Sequence, residues 1–123
     1  MARRSSPEER WADALQMILQ ALQLGLQAIY EEGQIDGSVD SLDGGDGAML
    51  WIVRDDRRPA FVLRRGGEGV EIVHGKVVKR PEHGEAAWDF VEANVAGGLA
   101  LRDLTEDAVI NALTAFMRDQ VDG

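Results

Sequence analysis

Residues Asp13 to Glu31 read DALQMILQALQLGLQAIYE, and the reading of this stretch decides the rest. No charged side chain lies strictly between the two acids. Apolar residues at Trp11, Leu15, Ile18, Leu22, Leu26 and Ile29 follow steps of four, three, four, four and three, the spacing of a helix with one apolar seam. A second apolar row runs Met17, Ala21, Leu24, Ala28. Between the rows, Gln16, Gln20, Gln23 and Gln27 recur along one helical edge. A helix on the surface of a protein usually carries charge on its polar face. Here that face holds only neutral amides.

The helix has a well-marked start. Ser6-Pro7-Glu8-Glu9 puts Ser at the N-cap, Pro at the first helical position and acids in the first turn. A helix of about 25 residues is roughly 37 Å long. A domain of this size is about 35 Å across. The helix must therefore span the domain or project from it, with Gly25 as a kink point. One sheet covers one apolar row; the second row calls for other helices or a second subunit.

Outward from the helix, GQIDGSVDSLDGGDG (33–47) reads as a loop with a short edge strand over Ser38–Asp43. Met49–Arg54 and Ala60–Arg65 are rich in strand formers and are separated by the turn DDRRP. Gly66-Gly67-Glu68-Gly69 is a further turn. Val70–Val73 and Lys76–Lys79 flank His74-Gly75, a two-residue hairpin candidate. After Pro81 the period changes. Glu85–Ala96 sets Trp88, Val91 and Val95 on one face, predicting a helix stopped by Gly97-Gly98. Leu99–Arg102 reads as one more strand. Thr105-Glu106-Asp107 opens a last helix with Val109, Ala112, Leu113 and Phe116 on its apolar face. The expected fold is a two-layer α+β domain: a long N-terminal helix, an antiparallel four- to five-stranded meander, then two C-terminal helices packed on one sheet face. Residues 1–5 read as a disordered tail and 6–120 as a single domain.

Chemical signatures are sparse. The 123 residues contain no cysteine, which removes disulfides and thiolate metal sites. No apolar run follows the arginines of MARRSSPEERW as a secretory signal would require, and no unbroken apolar run reaches membrane-spanning length. The expectation is a cytoplasmic protein with no membrane partner. His74 and His83 with Glu82 and Glu85 match no metal-ligand spacing. The aspartates of the 36–46 loop lack the alternation and terminal glutamate of a calcium loop. None of the serines sits in a nucleophile elbow, and the Gly66–Gly69 run lacks the Lys-Ser/Thr of a phosphate loop. No catalytic, cofactor or metal site is expected.

Two surfaces remain. The net charge of −9 is uneven: residues 54–80 hold eight cations against four acids, and the rest of the chain five against eighteen. Arg57, Arg58, Arg64, Arg65, Lys76, Lys79 and Arg80 could therefore form a small nucleic-acid-binding edge, with Trp51 and Phe61 for stacking. The same charges also suit the simpler task of keeping strand edges soluble. The other surface is the helix itself. Glutamine is desolvated more cheaply than Lys or Glu because it carries no charge. Trp11, Leu15, Gln16, Ile18, Leu19, Gln20, Leu22, Gln23, Leu26 and Gln27 accordingly form the candidate interface. The expected protein is a non-enzymatic homodimer that serves another, unidentified protein as adaptor, chaperone or inhibitor.

One stretch adds to this. Phe90-Val91-Glu92-Ala93-Asn94-Val95, followed by Gly97-Gly98 and a short strand, resembles the second helix of the small acidic chaperones of type III secretion. That resemblance implies a helix–sheet–helix domain that dimerises and binds unfolded partner segments. The long first helix departs from the pattern.

Overall fold

The computed structural model describes the backbone of residues 6–80 and 87–122, with side chains except at 80, 87, 88, 121 and 122. Helix α1 spans Pro7–Gly33. Ser6 caps it as expected, its hydroxyl accepting from the Glu9 N–H at 3.1 Å. Gln34 closes it in the left-handed conformation (φ 54°), its N–H bonded to the Tyr30 carbonyl. Strands β1 (Gly37–Ser41), β2 (Gly47–Ile52), β3 (Pro59–Gly66), β4 (Gly69–Arg80) and β5 (Ala87–Ala100) follow, and then α2 (Glu106–Asp122). The sheet order is β1-β2-β3-β4-β5, every pair antiparallel. The fold is thus an α+β domain with a long first helix, a five-stranded meander and a helix at the end.

Both helices lie on one sheet face. Ile18, Ala21 and Leu22 of α1, Leu50, Ile52, Phe61 and Leu63 of the sheet, and Val109, Leu113 and Phe116 of α2 form one buried cluster. Strand alternation sends Ala60, Val62, Val73 and Val77 to the other face, away from α1 and α2, where they are also buried. Half-exposed Met49, Trp51 and Phe90 shield them from that side. Gly25 is no kink: α1 is one continuous helix. A Cβ there would lie 2.5 Å from Leu113 Cδ2, so the glycine marks the place where α2 crosses α1.

Three expected elements are corrected; the first is the strand Leu99–Arg102, since Leu99 and Ala100 end β5 and Leu101–Asp103 form a single 3-10 turn. His74-Gly75 is not a turn; it lies within the continuous strand β4. The glycine serves packing: a Cβ at Gly75 would meet the Val91 carbonyl and come within 2.7 Å of the Phe90 ring. Residues from 87 onward of the expected Glu85–Ala96 helix form β5, so only one C-terminal helix follows the sheet. The reason is in the register. Glu92 pairs with Gly75, Asn94 with His74, Val95 with Val73 and Gly97 with Ile72, which leaves Ala93 and Ala96 as extra bulged residues. The helical spacing of Val91 and Val95 has no counterpart in the fold: Val91 pairs with Lys76 and Val95 with Val73, on opposite faces of the ribbon, and both are exposed. With that helix gone, the stretch that resembles the second helix of the secretion chaperones lies in strand β5, while the helix–sheet–helix order itself is present with α2 as its last member. Tail residues 1–5 lie outside the described residues.

The aspartate-glycine loop has a structural task. Gly44 and Gly45 take positive φ values of 75° and 72°, open to glycine at little steric cost. The turn aims the Gly45 carbonyl at the Trp11 indole, whose Nε1–H donates to it at 2.7 Å. Arg65 lies over the face of that indole, its Cζ 5.4 Å from the ring centroid. Bidentate contact with Glu8, at 3.1 and 3.4 Å, holds the guanidinium there. The start of α1 is thereby tied to the β1–β2 loop and to β3.

Candidate functional site

The candidate interface residues separate by depth. Trp11, Ile18 and Leu22 are buried in the chain's own core, because the apolar seam lies against the sheet. Leu15, Leu19 and Leu26 are half-buried beside them. Gln16, Gln20, Gln23 and Gln27 are all exposed. At about 100° per residue they occupy the side of α1 opposite the core. Gln27 donates to Glu31 at 3.3 Å. Leu24 (46 % exposed) and Tyr30 (55 %) flank the amides. Sequence reasoning placed Leu24 in the second apolar row but left it and Tyr30 out of the interface; their exposure is visible only once the sheet fixes the rotation of α1. Gln20, Gln23, Leu24, Gln27 and Tyr30 line a shallow groove of about 420 Å³ that runs toward Ile35 and the start of β1.

The second apolar row is covered in part. Ala21 and Gly25 are buried, Met17 is half-buried, and Leu24 and Ala28 remain exposed. Beside them a cleft of about 560 Å³ opens between α1 and α2, floored by Ala28, Ile29, Ile110, Leu113 and Met117, with Glu32 on one wall and Arg118 on the other.

The candidate basic residues do not gather on one face. Arg64 is held by Glu92 at 2.6 Å and Glu71 at 3.5 Å, and the bond to Glu92 raises its already high pKa. Arg65 is held by Glu8, whose carboxyl pKa that bond lowers in turn. The Arg58 guanidinium lies 5.8 Å from the Trp51 ring centroid. Phe61 is fully buried and cannot stack on a base. Arg57, Arg58 and Lys76 line one cleft with Gln120, and Lys79 is exposed farther along β4. The Arg80 side chain lies outside the described residues.

His74, expected in a solvated turn, stands half-buried under α2. Its ring centroid is 5.1 Å from that of Phe116, edge-on, and 6.0 Å from that of Phe61. Burial lowers its pKa from the ordinary 6.5, and the charge of Asp119 opposes part of that shift. The fold therefore favours the neutral ring. Its stabilising effect is complete above about pH 6.5, where the unfolded chain is neutral at this position too. It is lost as the pH falls through that value toward the lower native one, because the unfolded chain takes up the proton first. Urea midpoints should decline between about pH 7.5 and 5 and decline less in His74→Leu; equal slopes would remove this role.

His83, with Glu82 and Glu85, lies outside the described residues. Among the described residues no three His, Asp or Glu side chains are placed to share a metal ion, and no helix is long and apolar enough to cross a membrane. Comparison of the chain with protein-family models, with curated proteins and with solved structures finds no match.

Proposed function

We propose that this chain is a non-enzymatic protein-binding domain that pairs with a second copy of itself through the outward side of α1, and in that form serves another protein as adaptor, chaperone or inhibitor. One observation carries the reading. The side of α1 turned away from the core is exposed between Asp13 and Glu31 without a single charge, and presents Gln16, Gln20, Leu24, Gln23, Gln27 and Tyr30. A face meant only for water has no reason to exclude Lys and Glu in a chain with 28 % charged residues. Amides and apolar side chains can meet a copy of themselves without repulsion, whereas most other surfaces of a −9 chain would repel their own kind.

Less supports the nucleic-acid reading: Arg64 and Arg65 are occupied by carboxylates and Phe61 is in the core.

Sedimentation velocity over a range of concentrations should show a dimer. Gln20→Glu plus Gln23→Glu puts four carboxylates into the paired interface and should weaken association by about tenfold or more. Both positions are exposed, so the helical signal and the fold should stay intact. A mass that remains monomeric at the highest concentrations would overturn the reading.

A further inference from the structure

The cleft between α1 and α2 has a charge arrangement suited to one particular occupant. Its floor is apolar, formed by Ala28, Ile29, Ile110, Leu113 and Met117. Its walls bear one acid, Glu32 on α1, and one base, Arg118 on α2. Both are exposed, and neither has an ion-pair or hydrogen-bond partner among the described residues. The cleft is continuous with the amide face, because Leu24 and Ala28 lie four residues apart on the same exposed flank of α1.

An isologous interface must be complementary to itself. Consider a two-fold axis running along the cleft. It brings the α1 wall of one copy against the α2 wall of the other, and the reverse. Glu32 of each copy then meets Arg118 of its mate, and the apolar floors close on each other. An apolar peptide from another protein would satisfy the floor and would have no need of one acid and one base on opposite walls. We infer that this cleft is the seat of the second copy, so that α1 and α2 of two chains form a four-helix layer sealed by two Glu32–Arg118 pairs. This rests on the proposed self-association and centres it on the flank of α1 that borders α2, with Leu24 at the edge toward the amide face.

The test is charge reversal with restoration. Glu32→Arg alone, or Arg118→Glu alone, sets like charges opposite each other twice per dimer and should weaken association by about tenfold or more. The combined variant restores opposite signs and should return to within about threefold of the native affinity. Ala28→Glu, at an exposed helical position, should abolish pairing with the fold retained by circular dichroism. If the native chain dimerises but the combined variant is no better than the single ones, the cleft is not the seat and self-association stands. If Ala28→Glu still dimerises with native affinity, the cleft is likewise excluded. If the native chain is monomeric, both proposals fail together.

Discussion

Phe116→Ala is expected to lower the unfolding free energy by about 3–5 kcal/mol, the range for deleting a buried aromatic ring. Phe116 is fully buried, and its ring centroid lies 5.6 Å from that of Phe61 and 5.1 Å from that of His74. It is the aromatic anchor by which α2 meets β3 and β4. Small domains are stable by only about 5–15 kcal/mol, so this single change removes a large fraction. Urea denaturation followed by far-UV circular dichroism, at one fixed protein concentration, measures it. Phe116→Leu keeps much of the volume and should cost less. A loss below about 1 kcal/mol for the alanine variant would mean that α2 is not seated as described.

The second large effect is expected at Trp11. Trp11→Ala removes a side chain that is 5 % exposed, the 2.7 Å hydrogen bond to the Gly45 carbonyl, and the surface on which Arg65 rests. A loss of about 3–5 kcal/mol follows from the ring alone. Trp11→Phe separates the contributions. It keeps a six-membered ring in the site but loses the indole N–H together with the rest of the bicycle, which should cost about 1–3 kcal/mol. If the two variants are equally damaging, the hydrogen bond dominates and burial is secondary; if Trp11→Phe is neutral, the loop is held by other contacts.

Much of the fold was legible because the relevant signals are local. The Ser6 cap, the apolar seam of α1, the turns at 55–58 and 66–69, and the Thr105 cap, whose hydroxyl accepts from the Ala108 N–H at 3.1 Å, all act within a few residues. The β4–β5 ribbon was not legible for the opposite reason. Gly75 looks like a turn residue in sequence, and the Val91 carbonyl and Phe90 ring arriving from another strand explain it. The bulges at Ala93 and Ala96 are defined by what β4 places opposite them, so the sequence of β5 alone cannot reveal a strand period.

The candidate site follows the same division. That Gln16, Gln20, Gln23 and Gln27 share one edge follows from helical spacing alone. Which edge faces outward is set by the sheet, and that is what moved Trp11, Ile18 and Leu22 into the core and brought Leu24 and Tyr30 to the surface. The Glu32–Arg118 arrangement needs α1 and α2 side by side. Nothing short of the folded chain shows it.

The crossing at Gly25 bears on how the chain matures. Every strand pairs with its neighbour in sequence, so the sheet can assemble hairpin by hairpin as the polypeptide lengthens. The helical layer cannot, because its two members flank the whole sheet in sequence. During synthesis α1 emerges first and can bury Ile18 and Leu22 as soon as Leu50 and Ile52 arrive. Its Ala21–Gly25 flank has to wait for Leu113, almost the whole chain later. Until then the nascent protein displays a stripe that the folded one hides, and the period of greatest risk from sticky encounters ends only when α2 is made.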